Sequence, residues 1–219
     1  MRWESPVQLG PQPSSGLLVV VEGTDGSGKT TLVRALTAAL QTRGLTVLAT
    51  QQPTPSLRAT DIFRLALHND ASVADYRALY LATIGDRLYH CNSVVTPRLL
   101  ASGQTVISDR YVFTTFANLL ARGHDFELWL HDVCRHLPRP HLALWADAPP
   151  GLAVARIRAR PDDANPLDEA YLARLHAAFA AMSAAGELVR LDTSGDASRP
   201  VAEALSLINR LLTSRTAPK

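Results

Sequence analysis

Leu17-Leu-Val-Val-Val-Glu-Gly-Thr-Asp-Gly-Ser-Gly-Lys-Thr-Thr31 decides the fold of this 219-residue chain. Its first five residues are apolar and mostly β-branched, the pattern of a strand buried on both faces and therefore of a parallel sheet between helices. Gly23-Thr-Asp-Gly-Ser-Gly28-Lys29-Thr30 then fits G-x-x-x-x-G-K-[ST]. Behind it Leu32, Val33, Leu36, Ala39 and Leu40 recur at helical spacing, and Gly44 supplies the stop. In this strand–loop–helix context glycines turn successive backbone N–H groups inward, and the helix N-terminus adds partial positive charge. Lys29 has the reach for the β- and γ-phosphates, and the Thr30 hydroxyl suits Mg²⁺. The stretch thus predicts a P-loop for ATP, built of Gly23, Asp25, Gly26, Ser27, Gly28, Lys29, Thr30 and Thr31.

Outward from it, strands alternate with helices. Short apolar runs at 45–49, 105–108, 141–146 and 188–191 read as four more strands. Helical periodicity occupies 75–92, 94–101, 111–121, 126–134, 167–185 and 201–212, with a short helix ending near Leu67. The expected architecture is α/β: a three-layer P-loop NTPase fold, a five-stranded parallel sheet with helices on both faces. Residues 1–16, rich in Pro, Gln and Ser, read as a flexible leader without the apolar segment of a signal peptide. Residues 17–215 read as one kinase-sized domain, with an Arg-rich then Pro/Asp-rich lid at about 156–167.

Composition narrows the function. A net charge of +2 is too small for a general nucleic-acid grip, and no apolar run reaches the roughly 20 residues of a membrane span. Cys91 and Cys134 match no metal spacing and read as free thiols of a reducing, cytoplasmic compartment. Of 22 basic residues only Lys29 and Lys219 are lysines. A lysine inside so Arg-biased a chain marks a position where a guanidinium will not serve.

No N-K-x-D segment reads guanine, and no L-S-G-G-Q segment marks a transporter ATPase. The third strand ends Ser108-Asp109-Arg110-Tyr111, where a remodelling ATPase more often carries Asp-Glu. An Asp followed by Arg suits transfer to a bound acceptor, with Asp109 at the metal and Arg110 on an acceptor phosphate. Val21-Glu-Gly-Thr-Asp-Gly-Ser-Gly-Lys-Thr-Thr31, then Asp86-Arg87, then Asp109-Arg110-Tyr111, resembles the thymidylate kinase family from Leu17 to about Leu212. The resemblance implies γ-phosphoryl transfer from ATP, with Mg²⁺, to a nucleoside monophosphate, and a homodimer through the helix at 76–92. It implies that Asp25 places the acceptor sugar and phosphate and that Arg110 holds its phosphate. Arg87 is then at the pyrimidine edge, with Pro53, Tyr111, Thr115 and Asn118 completing the acceptor side. The P-loop itself lacks arginine, and the lid-side Arg156, Arg158 and Arg160 resemble the family members that carry the catalytic arginine in the lid. The central one, Arg158, takes the catalytic place, with Arg156 and Arg160 on the donor.

The departures all lie on the acceptor side. Thr50-Gln-Gln-Pro-Thr54 lacks the family's loop arginine unless Arg58 replaces it. Thr83 stands where an aromatic residue stacks on the base, with Tyr80 the nearest ring. Asn118 replaces an aromatic residue beside the sugar. These changes predict a roomier, less selective acceptor pocket. They leave open a kinase for a modified nucleotide or another small phosphorylated metabolite, and a nucleotide-binding regulator without catalysis.

Overall fold

Residues 3, 7–67, 76–124, 128–160 and 168–216 are described by a computed structural model. Strand β1 (Leu17–Glu22) is buried along its whole length because it is central. It pairs in parallel with β3 (Thr105–Asp109) on one side and β4 (Leu142–Asp147) on the other. β2 (Val47–Gln51) and β5 (Val189–Asp192) form the edges, giving the order β2-β3-β1-β4-β5. All five strands point one way, so their C-terminal ends and the loops leaving them form a single rim.

Alternation along β1 divides the core. Leu17, Val19 and Val21 face α1 (Lys29–Thr42) and α10 (Ser198–Thr216), meeting Leu32, Leu36, Leu40, Ala204 and Ile208. Leu18 and Val20 face the larger layer of α4 (Tyr76–His90), α5 (Thr96–Ser102), α6 (Val112–Ala121), α7 (Leu128–Cys134) and α9 (Glu169–Ala184). One π-helical stretch, Cys91–Val95, joins α4 to α5. Two one- to two-turn helices, α2 (Pro55–Arg58) and α3 (Asp61–Leu67), follow β2, and α8 (Pro150–Arg158) opens on proline after β4. The predicted three-layer sheet is what forms. The predicted lid differs at its start, because Arg156 and Arg158 are still helical. Residues 161–167, the rest of that stretch, lie outside the described residues.

The flexible leader expected over residues 1–16 is corrected along 7–16. Val7 is buried and donates its N–H to Glu187. Gly10 donates to Leu137 O at 2.9 Å, and Arg139 to Pro11 O at 3.3 Å. Trp3 meets Phe116 edge to face. Three apolar residues among the prolines are enough to seat the segment beside the loop entering β4. At its end, Leu18 N–H donates to His141 Nδ1 at 3.0 Å, and Arg215 Nη1 stands 2.7 Å from His141 Nε2 while Nη2 donates to Ser14 O.

An imidazole that accepts from a backbone N–H and faces a guanidinium is held neutral. Burial first, then Arg215, keep the His141 pKa below its usual value. The unfolded chain therefore binds the extra proton, and this stabilisation is complete above about pH 6.5 and is lost as pH falls below it. Thermal unfolding should show a steeper loss of Tm between pH 7.5 and 5.5 in the wild type than in His141→Asn. Equal slopes would contradict the assignment.

Candidate active site

The rim above β1 and β3 gathers the charged residues. Leaving β1, the chain turns at Gly23, whose φ is 143°. A Cβ there would lie 2.6 Å from Ala146 O and 2.8 Å from Ser27 Oγ, so no side chain fits. The loop closes on Lys29, which is 6% exposed and donates from Nζ to Thr24 O at 2.7 Å. Burial, then Arg110, lower its pKa to about 8, against the opposing pull of Asp25, Asp109 and Glu22. It stays mostly charged at neutral pH, a buried cation held by the loop's own backbone. Thr30 Oγ1 donates to Asp109 Oδ2 at 2.7 Å, which brings the two expected metal ligands together.

Arg110 is the one non-glycine among the described residues with positive φ, 69°. Such a backbone costs about 1 kcal/mol or more and persists only where neighbours hold it. Its N–H donates to Val21 O at 2.9 Å, and Ser108 Oγ donates to its carbonyl at 2.7 Å. The strained turn sends the guanidinium back over the P-loop, where Nη1 donates to Gly23 O at 3.0 Å and Nη2 pairs with the Asp25 carboxylate. Asp25 is also 3.7 Å from Lys29 Nζ. The Arg110 charge holds the Asp25 carboxyl well below the usual carboxylate range, so it stays ionised at any physiological pH. Glu22, fully buried, accepts from Tyr111 N–H at 2.8 Å and from the Thr114 hydroxyl, which pins the start of α6 to β1.

The lid-side arginines diverge. Arg156 donates from Nη2 to Thr193 O at 2.9 Å and from Nη1 to Gly26 O at 3.4 Å. It and Arg160 line a cleft of about 350 Å³ with Gly26, Gly28, Thr31, Thr193 and Pro200. Arg158 points the other way and pairs with Glu169 on the surface. The catalytic place expected for Arg158 is thus corrected. On α8, which winds about 100° per residue, 156 and 158 cannot share a face. Arg160, beyond the helix end, acts electrostatically on Asp25.

On the acceptor side Arg87 is 1% exposed. Its Nη1 donates to Thr83 O at 3.2 Å, while its Nε finds no hydrogen-bond partner among the described residues. Pro53, in a cis peptide, and Thr115 are both buried, and Pro53 O accepts from Arg58 Nε at 2.9 Å. Tyr111, expected on the acceptor, instead turns into the core, with its hydroxyl donating to Pro138 O at 2.8 Å. Asn118 does not leave open space. Its Nδ2 donates to Thr114 O at 2.6 Å, its Oδ1 accepts from the Tyr171 hydroxyl, and the Tyr171 ring lies under the Arg122 guanidinium at 4.9 Å. Tyr171 of α9 thus stands against Asn118, where the sequence alone suggested open space.

Four residues were not legible as site residues. Thr193 follows the last strand with no motif around it, yet its hydroxyl donates to Ser27 O at 2.7 Å. Glu22 and Tyr171 read as ordinary strand and helix positions. Arg58, named only as a substitute, donates from Nε to Pro53 O at 2.9 Å, and burial first, then Arg110, lower its pKa against Asp25 and Asp109.

The thymidylate kinase family model matches residues 21–204. The protein named thymidylate kinase from Xanthomonas campestris pv. campestris strain B100 is 36% identical over 203 residues, 91% of this chain and 86% of its own. A counterpart of the same name in Xanthomonas oryzae pv. oryzae strain PXO99A is 36% identical over 201 residues, with the same coverage. The probable thymidylate kinase of Pyrococcus horikoshii is 38% identical over 148 residues, 66% of this chain and 71% of its own.

The divergence of Arg156 and Arg158 is directly measurable. In a titration with a fluorescent ATP analogue, Arg156→Ala should weaken binding about tenfold, the size of one charge-assisted hydrogen bond. Arg158→Ala should stay within about twofold, as expected of an exposed ion pair. Equal losses in both would contradict the placement.

Proposed function

The chain belongs to the thymidylate kinase family, and on that premise we propose that it transfers the γ-phosphoryl group of ATP to a nucleoside monophosphate, thymidine monophosphate first, releasing ADP and the diphosphate. The observation that carries the reading is the Asp25 junction, where a P-loop carboxylate touches both Lys29 and Arg110. Lys29 belongs to the donor and Arg110 to the acceptor, so two phosphates bound to them meet at one point.

In the reaction an oxygen of the acceptor phosphate attacks the γ-phosphorus. The new O–P bond forms as the β,γ-bridging bond breaks, and ADP leaves with the electron pair. A phosphate monoester has its second pKa near 6, so the nucleophile is already largely dianionic at pH 7. No general base is needed, and Asp25, ionised and paired, does not act as one. Its role is to keep Arg110 and Lys29 close, offsetting their mutual repulsion, and aimed at their phosphates. Lys29 and the loop N–H groups stabilise the donor side. Arg156 holds the donor beside Thr193, and Arg160 takes the clamp on the transferring group, where charge grows. Among the described residues no group of three or more His, Cys, Asp or Glu is arranged for a metal. Thr30 and Asp109 are the fitting ligands for Mg²⁺, a hard cation that binds through few protein oxygens. When bound it neutralises phosphate charge.

Tyr171 and Asn118 support a nucleotide with a 2′-deoxy sugar. The Tyr171 hydroxyl gives its hydrogen to Asn118 Oδ1, which brings the ring up to the residue that replaces the family's aromatic. A 2′-hydroxyl beside Asn118 would meet that ring. No helix among the described residues is long and apolar enough to cross a membrane. That, with the family, fits the reading of a cytoplasmic enzyme acting on a small molecule and not on nucleic acid. The exposed Leu81 and Tyr89 on α4 fit the homodimer read from the family.

Coupled ADP release across thymidine, deoxyuridine and uridine monophosphates, with a no-acceptor control, tests the proposal. The expected result is acceptor-dependent ADP, with deoxyuridine over uridine monophosphate by more than about tenfold in kcat/KM, that is, more than roughly 1.4 kcal/mol. ADP release that ignores the acceptor would contradict the kinase. A ratio near one would contradict the Tyr171 wall.

A further inference from the structure

Helix α6 starts without a cap of its own. Tyr111 is its N-cap residue, yet its side chain makes no capping hydrogen bond, because the hydroxyl is spent on Pro138 O. The missing acceptor comes from β1. Glu22 Oε1 accepts from Tyr111 N–H at 2.8 Å and from Thr114 N–H at 3.3 Å. Those are the two donors that a capping box satisfies from within its own helix. Glu22 Oε2 accepts from the Thr114 hydroxyl. A hydroxyl has one hydrogen, so Thr114 Oγ1, with that hydrogen given to Glu22, can only accept from any further partner. Arg110 Nη1 is that partner, at 3.4 Å, and it also donates to Gly23 O at 3.0 Å. The backbone of Arg110 is clamped from the same side. Its φ is 69°, its own N–H donates to Val21 O at 2.9 Å, and the next N–H along the chain is the one Glu22 Oε1 takes. Three consecutive residues, Val21, Glu22 and Gly23, thus hold both amides that flank the left-handed turn and the guanidinium that leaves it.

We propose that Glu22 is a positioning residue acting through Thr114: by holding Tyr111 N–H and orienting the Thr114 hydroxyl, it fixes the left-handed backbone of Arg110 and the direction of its guanidinium. The inference rests on the nucleoside monophosphate kinase reading, in which Arg110 holds the acceptor phosphate. Glu22 is 0% exposed, so it touches neither nucleotide. A buried carboxylate is costly unless hydrogen bonds surround it, and here three donors do. A helix start could be capped more simply by a Ser, Thr, Asn or Asp at the position of Tyr111. What such a local cap could not supply is the link from β1 through Thr114 to Arg110. Thr114 is the second half of that link, since an apolar side chain of the same shape would leave Nη1 with Gly23 O alone.

Steady-state kinetics of the full chain with ATP and thymidine monophosphate decide it, beside titration with a fluorescent ATP analogue. Thr114→Val keeps the shape and removes the hydroxyl. It should raise the acceptor KM about three- to tenfold, the size of one hydrogen bond, and leave affinity for the ATP analogue within about twofold. Thr114→Ser, which keeps the hydroxyl, should bring the acceptor KM back to within about twofold of the wild type. Glu22→Gln still offers one oxygen to the two backbone N–H groups, but its amide donates to Thr114 where the carboxylate accepted. It should raise the acceptor KM at least about threefold with the same indifference to ATP, and add less than about twofold in the Thr114→Val background. Should Glu22→Gln fold poorly, the comparison of Thr114→Val with Thr114→Ser carries the test alone. Parallel loss of ATP and acceptor binding, or Thr114→Ser as impaired as Thr114→Val, would overturn the relay and leave Glu22 a helix cap. An unchanged acceptor KM in Thr114→Val would overturn it too, with the kinase reading intact. Absence of acceptor-dependent ADP in the wild type would overturn that reading and the relay with it.

Discussion

The Asp25–Arg110 ion pair is the contact on which the rest of the site depends. It joins a residue of the loop after β1 to a residue at the end of β3, and those strands are neighbours at the centre of the sheet. A carboxylate between Lys29 and Arg110 keeps two cations close without mutual repulsion dominating. Take it away and the buried lysine faces a guanidinium with nothing between. The positive φ of Arg110 has its reason in the same contact. Continuing the extended path of β3 would carry the side chain away from the P-loop, and the left-handed turn brings it back.

Around that pair buried polar side chains anchor the adjoining segments to one another. Glu22 ties the first turn of α6 to β1 through two backbone N–H groups and a hydroxyl. Burial raises its pKa, with Thr114 and then Arg110 and Arg87 opposing. Thr193 ties the loop after β5 to the P-loop, and Arg156 spans the same two segments from α8. Asp147 does similar work on the far side of β4, accepting from Arg190 Nε at 2.5 Å and lying 2.6 Å from His176 of α9. α9 is therefore held to the sheet at its middle and to α6 at its first turn, where Tyr171 meets Asn118.

What the sequence made legible follows from range. Gly23 to Thr31 is a local motif whose backbone geometry is fixed by glycines and whose chemistry is fixed by Lys29 and Thr30, so it was read without a partner segment. The sheet was legible for the same reason: Leu17–Val21 and the other strands are short apolar runs bounded by turns. The side-chain directions were not. Arg156, Arg158 and Arg160 look equivalent in a string, and only the end of α8 sorts them into two that line the cleft and one that pairs with Glu169. Asn118 read as a hole because Tyr171 lies 53 positions away and its contact is tertiary. Residues 7–16 read as a tail because proline-rich composition hides the few apolar side chains that pack. Tyr111 looked like a ligand contact by its place in a motif, yet it is a core residue by packing.

The most direct test of the account is the substitution Asp25→Asn, which keeps the shape and removes the charge. Two quantities are measured: ATP affinity by fluorescence titration, and kcat with thymidine monophosphate as acceptor. The account predicts ATP binding that is unchanged or tighter, because a carboxylate beside the triphosphate is gone. It predicts a kcat lower by about 100-fold, because Arg110 and Lys29 lose the group that aims them. Retained turnover, or ATP affinity and kcat falling in parallel, would contradict it.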